Sequence, residues 1–95
     1  MSVYVDKLFR TVPTKQWPYN YACHLLADSV GELILFAVGI LNLKASWRQK
    51  KDKPVWRTHF DLTPNKRVLA IKYGAIEFTK ESMLEYLHRH QDKIK

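Results

Sequence analysis

Apolar and polar residues alternate at two different periods along this chain, and the changes of period mark out its elements. Ser2-Val3-Tyr4-Val5-Asp6 is β-branched and aromatic and predicts a first strand. Asp6 falls at its C-terminal end, where open α/β sheets place functional groups. Residues 7–20 carry Pro13 and Pro18 and keep no clean period, so they read as an ordered loop or lid held down by Phe9, Trp17 and Tyr19. Tyr21 to Ala27 reads as a short strand. Asp28-Ser29 then opens a helix, because Ser29 and Glu32 have the spacing of a capping box. Residues 33–41 are apolar on almost every helical face, and Asn42 ends the run. Such a helix is buried all round or shared with a second subunit, and in so small a domain the expectation is a homo-oligomer.

Leu43 to Arg48 predicts another strand with Trp47 near its end, residues 49–54 a basic loop, and Val55 to Leu62 a further extended segment. Thr63-Pro64 is a strong helix start, since Thr caps well and Pro is favoured at the first helical position. Gly74 suits the end of that helix after Tyr73. Ala75 to Phe78 predicts a short strand, and Thr79 begins a last helix reaching about Gln91, with Met83, Leu84 and Leu87 at helical spacing. The order β, loop, β, α, β, extended segment, α, β, α predicts an α/β fold. It is one compact domain over residues 1–95, in which about three helices flank a small single-layer sheet.

A chain of 95 residues admits one domain, and 46% hydrophobic residues supply a core and argue against disorder. Sixteen Lys and Arg against nine acidic residues give a net charge of +7, which favours anionic partners such as nucleotides or nucleic acid. The single cysteine, Cys23, cannot form an internal disulfide. Met1 to Asp6 lacks the basic flank and apolar run of a signal peptide, and Val30 to Leu43 is too short and too interrupted to span a bilayer. The expectation is a cytoplasmic protein with no membrane partner.

The densest chemistry lies at His59-Phe60-Asp61-Leu62-Thr63-Pro64-Asn65-Lys66-Arg67. In an extended segment His59 and Asp61 share a face. Lys66 and Arg67 sit in the first helical turn, where cations oppose the helix dipole unless something negative answers them. A phosphate at the helix start would be such an answer. His24 and Asp28 form a second candidate group: alone they read as a core histidine and a helix cap, but with His59 in the same pocket they suit phosphate binding or acid–base work. The run Lys44 to Arg57 interleaves Lys44, Arg48, Lys50, Lys51, Lys53 and Arg57 with Trp47 and Trp56, a mix suited to stacking bases and holding phosphates. No paired metal-ligand spacing exists, so neither metal nor cofactor is expected, although a site assembled by the fold from His24, His59, Asp6 and Asp61 stays open. There is no serine-triad signature, P-loop or dinucleotide fingerprint.

Val3-Tyr4-Val5-Asp6, Cys23-His24-Leu25-x-Ala27-Asp28, Glu32-Leu33, Trp47, His59-Phe60-Asp61-Leu62, Lys66-Arg67, Ala70 and Gly74-Ala75 together resemble an uncharacterised family of small bacterial and phage domains, the domain of unknown function 4031. That family more usually shows Tyr where this chain has Phe60. The resemblance implies a single-domain protein and directs attention to His24, Asp28, His59, Asp61, Lys66 and Arg67 without supplying an activity.

Three functions follow as expectations. The first is capture of a nucleotide-like anion, with Lys66 and Arg67 on phosphate, Trp47 and Arg48 nearby, and His24, His59, Asp6, Asp28 and Asp61 around it; in a phage setting this would sequester a nucleotide immune signal. The second is a phosphodiesterase-like enzyme with His24 and His59 as acid and base. The third is a nucleic-acid binder using the Lys44 to Arg57 run.

Overall fold

The fold is organised around β3 (Tyr21–Ala27), its longest strand. The computed structural model describes residues 2–49 and 58–89. Three strands pair antiparallel with β3: β1 (Val3–Val5), β2 (Phe9–Arg10) and β4 (Phe60–Leu62). β5 (Ile76–Glu77) pairs parallel with β1, which completes a mixed five-stranded sheet. Three helices pack around it: α1 (Val30–Ile34), which runs on into a π-helical stretch over Leu35–Ile40, then α2 (Pro64–Lys72) and α3 (Lys80–Arg89). The α/β class expected from the sequence is the class observed. Among the described residues, no helix is long and apolar enough to cross a membrane.

Side chains alternate across a strand, and β3 uses both of its faces. Cys23, Leu25 and Ala27 join Val5, Phe60 and Leu62 in the main core. Leu33, Phe36, Ala37 and Leu41 close that core from the first helix, and Ala70 from α2. The opposite face carries a smaller cluster of Tyr4, Phe78 and Tyr86, with Leu26 and Met83 against it. Tyr4 and Phe78 stack with ring centroids 4.8 Å apart, and Tyr86 meets both edge-on at 5.4 Å. Edge and offset ring pairs add about 0.5–1.5 kcal/mol each beyond the area they bury. His24 lies two residues before Leu26 and so shares this second face, beyond the aromatic cluster.

The helix ends form as their residues dictate. Ser29 Oγ accepts the Glu32 backbone N–H at 3.2 Å, and Thr63 Oγ1 accepts that of Lys66 at 3.2 Å. Asn42 (φ 59°) turns the chain out of the first helix, and Gly74 (φ 107°) follows the end of α2 in a conformation that a Cβ would strain.

Two expectations need correction. Residues 7–20 are not all loop, because Phe9–Arg10 pairs with Ala22 and Tyr21 as β2. The predicted strand over Leu43 to Arg48 is not formed. After the left-handed turn at Asn42, Ala45–Trp47 makes a single 3-10 turn, with the Trp47 N–H on the Lys44 carbonyl at 3.0 Å. Just after it, Gln49 forms an isolated bridge with His59. Of the last extended segment, Phe60–Leu62 forms β4 and residues 55–57 lie outside the described residues, as does most of the predicted basic loop. The apolar first helix buries Leu33, Phe36 and Ala37 within its own chain and leaves Leu35 and Ile40 exposed.

Candidate functional site

Three strands place one polar cluster on the sheet face that α3 shares. β3 lies between its partners, so His24 stands opposite Asp61 in the β3–β4 register. His59 precedes Asp61 by two residues and therefore shares its face. Asp6 follows β1 and approaches His24 from another side. Here the strand register carries an extra residue. Three residues separate Val5 from Phe9, but only two separate their partners Leu25 and Ala22. A β-bulge of this kind bends the strand and re-aims a side chain.

Asp6 begins this segment, and alternation from core-facing Val5 puts it on the His24 face. Its Oδ1 accepts the backbone N–H of His24 at 2.6 Å, and its Oδ2 lies 2.7 Å from His24 Nδ1. A carboxylate only accepts, so Nδ1 carries the proton and the lone pair of the neutral ring sits on Nε2. The hydrogen bond to Asp6 holds the His24 pKa above its usual value. Burial opposes this rise, and the negative charges of Asp6 and Asp61 support it.

Nε2 of His24 lies 3.9 Å from Asp61 Oδ1, and Nε2 of His59 lies 3.4 Å from the same oxygen. The two imidazoles meet edge to face, with centroids 4.5 Å apart. Phe9 packs its ring 5.0 Å from that of His24. Side-chain exposure is 36% for His24, 31% for Asp61 and 14% for His59, so the cluster is partly open to solvent. One ligand atom each from His24, His59 and Asp61 can be chosen so that all lie within 4.8 Å of one another, a grouping able to hold a metal ion.

Asp6 also borders a depression of about 360 Å³ lined by Lys7, Phe78, Thr79, Lys80 and Met83. This puts two lysines in a hollow that Asp6 also lines. Neither Lys7 nor Lys80 was singled out by sequence, where each is an ordinary surface cation. Only the packing of α3 against the sheet brings them to the same hollow.

The other candidates have partners within the chain. Lys66 Nζ donates to the Leu41 carbonyl at 2.7 Å, at the end of the first helix. Arg67 Nε donates to the Asp6 carbonyl at 2.9 Å, and its Nη2 pairs with Glu77 at 3.0 Å. The negative groups that answer these cations therefore belong to the protein. Arg67 remains connected to the site through the backbone of the residue that holds His24. Asp28 accepts from Ser2 N–H at 3.1 Å and from Tyr4 Oη at 3.2 Å, which ties the end of β3 to β1. Trp47 is exposed with Lys44 Nζ 5.6 Å from its ring centroid, and Arg48 follows it at the end of the 3-10 turn. Lys50, Lys51, Lys53, Trp56 and Arg57 lie outside the described residues.

Cys23 is adjacent in sequence to His24 but points to the other face. Burial pushes its thiol up to about 12, with Asp6 adding to the rise, so it is neither a nucleophile nor a ready ligand.

No curated protein and no solved structure matches the chain. A family model described as "Protein of unknown function (DUF4031)" matches residues 3–90, which takes in every strand and helix of the sheet and every member of the histidine cluster, and the chain belongs to that family.

Proposed function

We propose that this domain binds a phosphate-bearing, nucleotide-type ligand on the open sheet face where His24 and His59 meet. The observation that supports this reading best is the convergence of two imidazoles, 4.5 Å apart, from strands that the sequence alone could not pair. Lys7 and Lys80 line the adjoining hollow and offer positive charge to an anion lying across it. Phe9, which packs on His24 and is 40% exposed, offers a ring to a base. In a phage-borne domain, such binding in the cytoplasm would withdraw a nucleotide immune signal from the host.

Titration calorimetry of the folded protein with cyclic dinucleotides and with ADP-ribose tests the proposal. Binding at moderate salt that is lost in His24→Gln and weakened in Lys7→Ala plus Lys80→Ala supports it. Absence of heat with every one of these ligands, both with and without added divalent metal, defeats it.

A second reading, cleavage of a phosphodiester, draws on the Asp6–His24 hydrogen bond. It would make His24 the acid and leave His59 as the base. Chromatography of the ligand after denaturing the complex separates the two: intact ligand means sequestration, and cleaved ligand means catalysis.

A further inference from the structure

The cluster has an electrostatic problem that the phosphate reading must solve. Two carboxylates, Asp6 and Asp61, face the two imidazoles, while Lys66 and Arg67 are engaged elsewhere. With neutral rings the cluster is negative, and a phosphate brought against it would be repelled. In the neutral ring the Nε2 lone pair of His24 faces a carboxylate oxygen 3.9 Å away. Two electron-pair donors aimed at one small volume are answered by a proton on His24 or by a metal ion between them.

We propose that His24 Nε2, His59 Nε2 and Asp61 Oδ1 bind one divalent first-row transition-metal ion, such as Zn²⁺, and that Asp6 is the outer carboxylate that orients His24. This rests on the phosphate-binding reading for its biological use, and on geometry alone for the metal. Ligand atoms around tetrahedral zinc stand about 3.3–3.6 Å apart, given bonds of about 2.0–2.2 Å. The 3.4 Å separation of His59 Nε2 and Asp61 Oδ1 already fits, the 3.9 Å separation from His24 is wider, and one ligand atom from each of the three residues lies within 4.8 Å of the others, so an ion would draw the side chains together. The Asp6–His24 pair reproduces the carboxylate–histidine–metal relay, in which the outer acid fixes the tautomer and raises the basicity of the ligating nitrogen. Two imidazoles favour zinc, nickel, iron or cobalt over magnesium or calcium, which prefer oxygen. Three protein ligands leave at least one position open, and the partial exposure of His24 and Asp61 directs it to solvent. A phosphate oxygen is a suitable occupant. The ion thus supplies the positive charge that the cluster lacks.

The test uses the full chain stripped with chelator, then titrated with Zn²⁺ alone by calorimetry and with Co²⁺ alone by visible absorption. One equivalent of each ion is expected to bind. His59→Gln and Asp61→Asn are expected to weaken binding at least 100-fold while keeping the far-ultraviolet circular dichroism of the parent. Asp6→Asn is expected to weaken it by about 10- to 100-fold, the range for outer-shell partners. His88→Gln plus His90→Gln, which lie elsewhere in the sequence, should leave it unchanged. No binding by the parent, or equal binding by parent and folded His59→Gln, overturns the proposal. ADP-ribose binding that is the same with chelator as with Zn²⁺ overturns the ion's role in holding phosphate while leaving the phosphate reading in place. Stoichiometric Zn²⁺ binding without capture of any nucleotide does the reverse.

Discussion

At the scale of single residues, Asp6 decides what His24 can do. Both carboxylate oxygens are engaged by one residue, through the backbone N–H and through Nδ1. Asp6→Asn keeps an oxygen for the backbone N–H but turns an amide NH₂ toward Nδ1. Nδ1 must then accept, and the ring proton moves to Nε2. In chelated protein, nitrogen-15 NMR should show the Nδ1–H tautomer in the parent and the Nε2–H tautomer in Asp6→Asn, with the raised His24 pKa falling back; an unchanged tautomer would mean that Asp6 does not orient the ring. The sign for stability follows from the rise in pKa. The folded state holds the His24 proton more tightly, so the stabilisation is full below the unfolded value of about 6.5 and is lost as pH climbs through the raised folded value. Urea melts of the metal-free parent should weaken across that window more than those of Asp6→Asn. Cys23 gives a separate test on the other face. With its thiol pushed up to about 12 by burial, it should resist iodoacetamide at pH 8 in native buffer and react fully in guanidinium.

At the scale of elements, α2 starts with a conflict that the chain resolves by itself. Two cations in its first turn oppose the helix dipole. Lys66 reaches back to the last carbonyl of the first helix, where positive charge is favourable, and Arg67 links α2 to β1 and β5. Lys66→Met keeps the aliphatic stem and removes that bond. It should lower unfolding free energy by about 1–2 kcal/mol, near the range for hydrogen bonds to charged groups. Thr63→Ala should cost a similar amount, about 1 kcal/mol, through loss of the cap. Denaturant melts of both variants check this, and an unchanged midpoint for Lys66→Met would return its ammonium to solvent or to a ligand. The same element shows what one sequence can and cannot reveal. Cap and turn chemistry is local, so Ser29, Thr63-Pro64 and Gly74 were readable residue by residue. Strand period is local too, which made His59 and Asp61 face-mates. Which strands become neighbours depends on contacts far apart in the chain. The opposition of His24 to Asp61, the pairing that brings Asp6 to His24, and the meeting of Lys7 with Lys80 were therefore out of reach. The strand expected at Leu43 to Arg48 failed for a related reason: its apolar residues suit a strand, but after Asn42 the chain makes a 3-10 turn, and among the described residues the bridge that follows is at Gln49.

At the scale of the molecule, a small domain has divided its apolar residues between two faces of one thin sheet, and the division should show in how it opens. The main core joins the sheet to α1 and α2, whereas α3 is held by Tyr4, Phe78, Tyr86, Leu26 and Met83. Native domains are stable by only about 5–15 kcal/mol, and truncating a buried Phe costs about 3–5 kcal/mol. Phe60→Ala, in the main core, should therefore consume much of the total and lower the whole melting transition. Phe78→Ala removes the ring stacked on Tyr4 and should act first on α3, because few apolar contacts elsewhere hold that helix. Native-state hydrogen exchange can tell these effects apart. Amides of Tyr86 and Leu87 should open at lower free energy than those of Leu25 and Leu62 in the parent, and the gap should widen in Phe78→Ala while the β3 amides keep most of their protection. Equal opening of α3 and β3 in both proteins would mean that the two clusters form one cooperative unit. The hollow beside Asp6 is built from Phe78, Thr79, Lys80 and Met83 as well as the sheet. Release of α3 would then remove Lys80 and Met83 from the hollow while leaving the His24, His59 and Asp61 side standing, so Phe78→Ala should weaken nucleotide capture more than it weakens Zn²⁺ binding.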